Sequence, residues 1–216
     1  MMLHVYRDQL VESNCYIFSE DKKALIIDPN SFEEIDRILK EQDVTPEWVI
    51  LTHEHCDHMA GLEDLRRKYP VKVLATKACS KGIQNTRENM SAMMEVYLHF
   101  RGIEKVSYEA FSCKEADVTF DGEYSLDWQG HEFRLCAVQG HTKGSCCIWW
   151  NGTNLFSGDY LIPGEPIITR LPGGDEEGYE KVGKAWLKAL PEGIRIYPGH
   201  GEDYILTNEG KAGYGL

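Results

Sequence analysis

The chain has 216 residues, 42% hydrophobic, 11% aromatic and 27% charged, which suits one substantial core and excludes a disordered, repetitive or fibrous protein. With 23 Lys and Arg against 35 Asp and Glu, the formal charge of -12 argues against nucleic acid or an anionic membrane as partner and leaves carboxylate to balance cations. Seven cysteines, an odd number without a Cys-x-x-Cys pair, indicate neither a thiolate zinc site nor a disulfide framework; with no basic-apolar leader and no membrane-length apolar run, they predict mostly reduced, half-buried strand thiols and a cytoplasmic setting.

Short apolar runs at Leu3 to Tyr6, Cys15 to Phe18 and Ala24 to Ile27 predict an antiparallel meander. Ser31 then precedes a run with apolar Ile35, Ile38 and Leu39 at helical spacing, so a helix capped at Ser31 is expected. Strand residues return at Trp48 to Leu51, a helix at Leu62, Leu65 and Tyr69, and a strand at Val71 to Leu74. Residues 79–110 interrupt this rhythm: Met90, Met93, Met94, Tyr97 and Phe100 fit one helical face, predicting an inserted helical segment that docks on the core or closes over a site. Beyond it come short strands at Tyr124 to Trp128, Phe133 to Val138, Ser145 to Trp150 and Leu155-Phe156. A helix through Tyr179, Val182, Trp186 and Leu190 and a last strand at Ile194 to Tyr197 complete the pattern. Two halves of strands with helices outside predict an α+β layered sandwich, and no linker divides 1–216 into more than a single domain.

The densest chemical signal is Thr52-His53-Glu54-His55-Cys56-Asp57-His58, directly after a predicted strand. On a helix His55 would point away from His53 and Asp57, so convergence of His53, His55, Asp57 and His58 needs a loop wrapped around something. A metal fits, because imidazole and carboxylate are ligands that zinc and its borderline neighbours prefer. Cys56 reads as a spacer facing away. Three further donors follow short strands and sit beside glycine: Gly140-His141, Gly158-Asp159 and Gly199-His200-Gly201. Seven donors exceed what one zinc with three protein ligands and a water needs and suit two divalent metals, zinc first, with iron or manganese as alternatives.

This ordered series resembles the metallo-beta-lactamase superfamily, and most its hydroxyacylglutathione hydrolase (glyoxalase II)-like branch. Asn14-Cys15-Tyr16, Ile27-Asp28-Pro29 and Leu171-Pro172-Gly173-Gly174-Asp175 extend the similarity over most of 3–78 and 125–205. The resemblance implies a four-layer αβ/βα sandwich, two packed mixed sheets with helices on the outer faces and a metal site at one rim. It implies that His53, His55 and His141 hold one metal, that Asp57, His58 and His200 hold the other, and that Asp159 bridges them. It also implies that Asp57 serves catalysis by orienting the nucleophile or relaying its proton, while Asp28 orients a ligand from outside.

Lys143 stands where the family often has proline and, with Tyr160 and Arg170, is a candidate substrate contact; His4, His99 and His131 read as packed, exposed or turn residues. The expected function is metal-dependent hydrolysis of a small-molecule ester-like bond, a small thioester first and a lactone or beta-lactam next. A thiol-persulfide dioxygenase using iron and a small phosphodiesterase are the competing classes. The di-iron type usually has a carboxylate where this chain has His55, and nitrogen-rich sites favour zinc.

Overall fold

A computed structural model describes residues 1–104 and 106–216; Lys105, inside the expected insertion, lies outside the described residues. The predicted meander forms as β1 (Met2–Arg7), β2 (Asn14–Glu20) and β3 (Lys23–Ile27), paired antiparallel in that order. Helix α1 (Phe32–Glu41) returns the chain to β4 (Thr45–Ile50), parallel to β3, and α2 (Leu62–Lys68) returns it to β5 (Lys72–Thr76), parallel to β4. Ser31 occupies the N-cap of α1 but makes no side-chain capping bond. Three residues, β6 (Val118–Phe120), add in parallel to β5 without having been anticipated from the sequence.

The second sheet runs β7 (Glu123–Trp128), β8 (His131–Ala137), β9 (Cys146–Trp150), β10 (Asn154–Gly158), β11 (Arg195–Pro198) and β12 (Tyr204–Ile205) side by side. Its pairs are antiparallel except β10 with β11. Period-two alternation divides every central strand between two cores. Tyr16, Phe18, Leu25, Ile27, Ile50 and Leu74 face Leu126, Phe133, Leu135, Ile148 and Phe156 between the sheets. The alternate residues Cys15, Ile17, Ile26, Val49 and Val73 turn outward onto the α1 and α2 side, through Ile35, Leu39, Leu62 and Leu65. Cys147, Leu155 and Ile196 turn outward on the other sheet, against Tyr179, Leu187 and Leu190. The result is helix, sheet, sheet, helix, as expected. The seven cysteines are free and fully buried rather than half-buried, and Cys56, Cys79 and Cys113 lie off the strands.

Two helices depart from their predicted faces. Between β5 and β6 the chain forms α3 (Lys77–Gly82), a 3-10 turn (Ser91–Met93) and α4 (Met94–Phe100) rather than one long helix. Met90 stands outside the helix at φ 66°, so the docking face is Met90, Met94 and Leu98, while Met93 is 45% and Phe100 82% exposed. After β10, α5 (Glu176–Gly178), a π turn (Tyr179–Gly183) and α6 (Lys184–Lys188) abut. The wider π turn shifts the buried face by one residue, so Tyr179, Leu187 and Leu190 pack and Val182 is 52% exposed. A short α7 (Asn208–Gly213) follows β12, and among the described residues no helix is long and apolar enough to cross a membrane.

Helix α1 is pinned to α2 through Asp36, whose carboxylate accepts from Lys68 at 2.5 Å, Tyr69 at 2.5 Å and Lys40 at 2.7 Å. Burial opposes its ionisation, but these three donors outweigh it and hold the carboxyl well below its ordinary value. A depressed folded-state value stabilises above the unfolded carboxylate range and is lost as pH falls toward the folded one. Asp36→Asn should therefore destabilise by about 1 kcal/mol at neutral pH and make urea midpoints less sensitive to acidification below about pH 4. Equal acid sensitivity in both proteins would refute the assignment.

Candidate metal centre

All seven predicted donors lie at the ends of strands along one rim. The loop after β4 carries His53, His55, Asp57 and His58, closing in a 3-10 turn at Cys56–His58. His141 follows β8, Asp159 follows β10 and His200 follows β11. Cys56 turns away into the outer core, its backbone N donating to Asn89 O at 2.8 Å. Two glycines permit the approach. At Gly199 a Cβ would meet Asp159 Oδ1 at 2.0 Å, and at Gly158, with φ +50°, it would meet Thr52 Oγ1 at 2.8 Å.

The donors form two groups, His53, His55, His141 and Asp159, and Asp57, His58 and His200, with ligand atoms inside each group within 4.8 Å of one another. Asp159 touches both. Its Oδ2 lies 3.6 Å from His141 Nε2 and 3.5 Å from His200 Nε2, and its Oδ1 lies 3.3 Å from His58 Nε2. Asp57 Oδ2 is 3.4 Å from His200 Nε2 and 3.6 Å from His58 Nε2.

Each imidazole has its outer nitrogen fixed by an acceptor, which turns the inner nitrogen toward the other donors, His141 Nε2 lying 3.2 Å from His55 Nδ1 and His58 Nε2 3.3 Å from His200 Nε2. His141 Nδ1 meets Ile168 O at 2.8 Å, His55 Nε2 meets Pro172 O at 2.9 Å and His200 Nδ1 meets Val11 O at 3.0 Å. His58 Nδ1 meets Asp28 Oδ2 at 3.2 Å. Thr52 Oγ1 donates to Asp28 at 2.6 Å and so accepts from His53 Nδ1 at 3.0 Å. Burial pushes His53 well down, His55 to about 4 and His141 down. Burial acts the same way on His58 and His200, but Asp159 and Asp57 outweigh it and push both up, His200 to about 10. Positive charge is favoured between these carboxylates. Buried His53 Nε2 and Asp159 Oδ1 have no hydrogen-bond partner among the described residues. Two orphaned acceptors aimed into a cage of imidazole nitrogens and carboxylates fit a bound metal, because buried polar atoms are otherwise satisfied.

Asp28 orients the site as expected of a supporting carboxylate, at φ +54°. Asp28→Asn keeps a residue that tolerates this backbone and the acceptor for Thr52, but removes the charge facing His58. Metal affinity should fall about 10–100-fold by competition titration, and an unchanged value would remove Asp28 from the support. Glu54 is a support the sequence reading did not single out. Its carboxyl, pushed up to about 7 by burial, accepts from Thr142 Oγ1 at 2.8 Å and ties the 53–58 loop to the His141 turn.

The three expected substrate contacts do not line the cavity over these donors. Tyr160 is buried, its hydroxyl donating to Val138 O and accepting from His141 N at 3.3 Å, so it braces the His141 turn. Lys143 is exposed with its backbone N on Gly173 O at 2.9 Å, and Arg170 is exposed and paired with Glu176 at 3.3 Å. The cavity, about 240 Å³, is walled instead by Tyr97 and Arg101 of the insertion, by Val11 and Glu12, and by 162–171 residues including Ile162, Pro163 and Ile168.

The family model of the metallo-beta-lactamase superfamily matches residues 9–200. The chain is 29% identical over 202 residues to the probable metallo-hydrolase YqgX of Bacillus subtilis, covering 92% of this chain and 90% of that one. It is 26% identical to hydroxyacylglutathione hydrolase 1 of Vibrio vulnificus over 94% of this chain and 67% of that protein. The crystal structure of the BLEG-1 B3 metallo-beta-lactamase superposes with a TM-score of 0.78 at 25% identity, covering 94% of each chain.

Proposed function

The chain belongs to the metallo-beta-lactamase superfamily, and from that premise we propose that it is a dinuclear metal-dependent hydrolase of small thioesters. The observation that carries the reading is Asp159, whose carboxylate reaches His141 on one side and His58 and His200 on the other, at 3.3–3.6 Å. In this reading His53, His55 and His141 hold one ion, Asp57, His58 and His200 the other, and Asp159 both. Two divalent ions, zinc first, would supply a Lewis acid for the carbonyl and a water that ionises near neutral pH.

The protein's own groups do the rest. Asp57, 3.4 Å from His200 Nε2, is placed to orient an attacking water or hold its proton. Ile162, Pro163, Ile168 and Leu171 give the acyl group an apolar wall and exclude bulk water from the donors. Similarity to a hydroxyacylglutathione hydrolase supports a thioester, and similarity to a B3 metallo-beta-lactamase makes a beta-lactam the next class to examine. The test loads the protein with zinc, iron or manganese and measures kcat/KM on a thioester, a lactone, a beta-lactam and a small phosphodiester, with oxygen uptake on a persulfide. The expected result is highest hydrolysis on the thioester with two metals bound. Oxygen uptake without thioester hydrolysis would overturn it.

A further inference from the structure

The cavity over the donors abuts a second one, also about 240 Å³, between the 9–12 turn and α4. Val11, Glu12, Tyr97 and Arg101 belong to both walls, so a molecule reaching from the donors into the second space passes Tyr97 and Arg101. Among the described residues of both walls Arg101 is the one lysine or arginine, while Glu12, Glu165 and, among the donors, Asp159 are acidic.

Arg101 is held in place at the end of α4. Its backbone N donates to Tyr97 O and Leu98 O, both at 3.1 Å, and Gly102, at φ +79°, turns the chain away behind it. Its guanidinium lies 6.0 Å from the Tyr97 ring centroid, a cation–π distance. Its one ion pair among the described residues is with Glu165, at 4.0 Å with the two side chains 56% and 38% exposed. Such a pair is weak and readily exchanged. A carboxylate of the protein already stands where a substrate carboxylate would approach the guanidinium.

We propose that Arg101, steadied by Tyr97, is the specificity-determining residue of this site and reads an anionic group, a carboxylate, on the leaving portion of the substrate, which displaces Glu165. The inference rests on the hydrolase reading for its substrate but not for its binding. Glu12, which belongs to both walls, disfavours anions beside it, so discrimination concentrates at Arg101 once Glu165 is displaced. Arginine suits the task because its planar fork matches a carboxylate.

The test uses the zinc-loaded protein and three thioesters sharing one acyl group, with leaving thiols of matched length that are anionic (mercaptopropionate), neutral (mercaptopropanol) or cationic (aminopropanethiol). The anionic ester should have the highest kcat/KM, through KM. Arg101→Met, which keeps an apolar stem on Tyr97, should reduce the anionic-to-neutral ratio about tenfold, the scale of one charge-assisted hydrogen bond. Glu165→Gln should raise it. Calorimetric binding of a methylthiopropanesulfonate should weaken about tenfold in Arg101→Met by the same interaction. If none of the three esters is hydrolysed, the thioesterase reading falls while the sulfonate titration still decides on Arg101. Equal sulfonate affinity in wild type and Arg101→Met, or an unchanged ester ratio, would overturn the proposal.

Discussion

Asp159→Asn should lower the bound metal from two ions toward one and reduce kcat/KM on the best substrate by well over a hundredfold. The substitution keeps the volume that Gly199 leaves open, where even a Cβ would come within 2.0 Å of Asp159 Oδ1, so the backbone has no reason to move. What changes is charge and denticity. A carboxylate can share its two oxygens between cations, whereas an amide offers one neutral oxygen and turns an N–H toward His58 or His200, both pushed up by Asp159. Loss of a mere supporting partner costs about 10–100-fold in metal affinity, so loss of a shared ligand should exceed that. Metal content by mass spectrometry of the dialysed protein, read beside kinetics, checks it. Two tightly held ions with near-normal turnover would show that Asp159 is not shared. His141→Ala should lower metal content too, but through one half of the site.

The gathering of these seven side chains was legible because each strand that carries one announces itself locally. Trp48 to Leu51, Phe133 to Val138, Leu155-Phe156 and Ile194 to Tyr197 alternate or run apolar, and a polar donor follows each, beside glycine after the last three. Sheet geometry then brings the strand ends to one rim. Less local facts were hidden. Strand β6 has three residues and exists because β5 offers it an edge. The face of α4 depends on where the helix begins, and Met90 in a left-handed turn delays that start, so Phe100 points to solvent and Leu98 inward. The π turn at Tyr179–Gly183 moves a buried face by one residue in the same way. Substrate contacts were the hardest to read, because they depend on how an insertion folds over a rim built by distant segments. Lys143, Tyr160 and Arg170 do not line the cavity, whereas Tyr97 and Arg101, far from the donors in sequence, reach it through space. Asp28 was readable from its family context, Glu54 only from the fold, which packs Gly82, Gly144 and Gly173 against its side chain.

The sheet-to-sheet core should prove separable from the metal site, and Phe18→Ala measures this. Phe18 is fully buried and packs edge-on against Phe133 at 5.1 Å, Trp150 at 4.9 Å and Phe156 at 5.6 Å, centroid to centroid. It pairs with Leu25, whereas Tyr16 pairs with Ile27, the neighbour of Asp28, so Phe18 sits one side-chain layer below the rim. Tyr16 spans the gap at the rim itself, donating from its hydroxyl to Pro198 O at 2.6 Å, and Asn14 Nδ2 donates to the same carbonyl at 3.0 Å. These bonds set the distance from the His200 turn to the first sheet. Removing Phe18 should then cost about 3–5 kcal/mol and lower Tm by roughly 6–20 °C. Metal stoichiometry and kcat/KM at 25 °C should stay near wild type, since the upper layer keeps both sheets in register. Thermal unfolding in excess zinc, with activity measured well below the transition, separates the two effects. If metal content falls in step with Tm, the rim depends on the layer beneath it, and the Tyr16 and Asn14 bonds do not by themselves hold the halves of the donor set together.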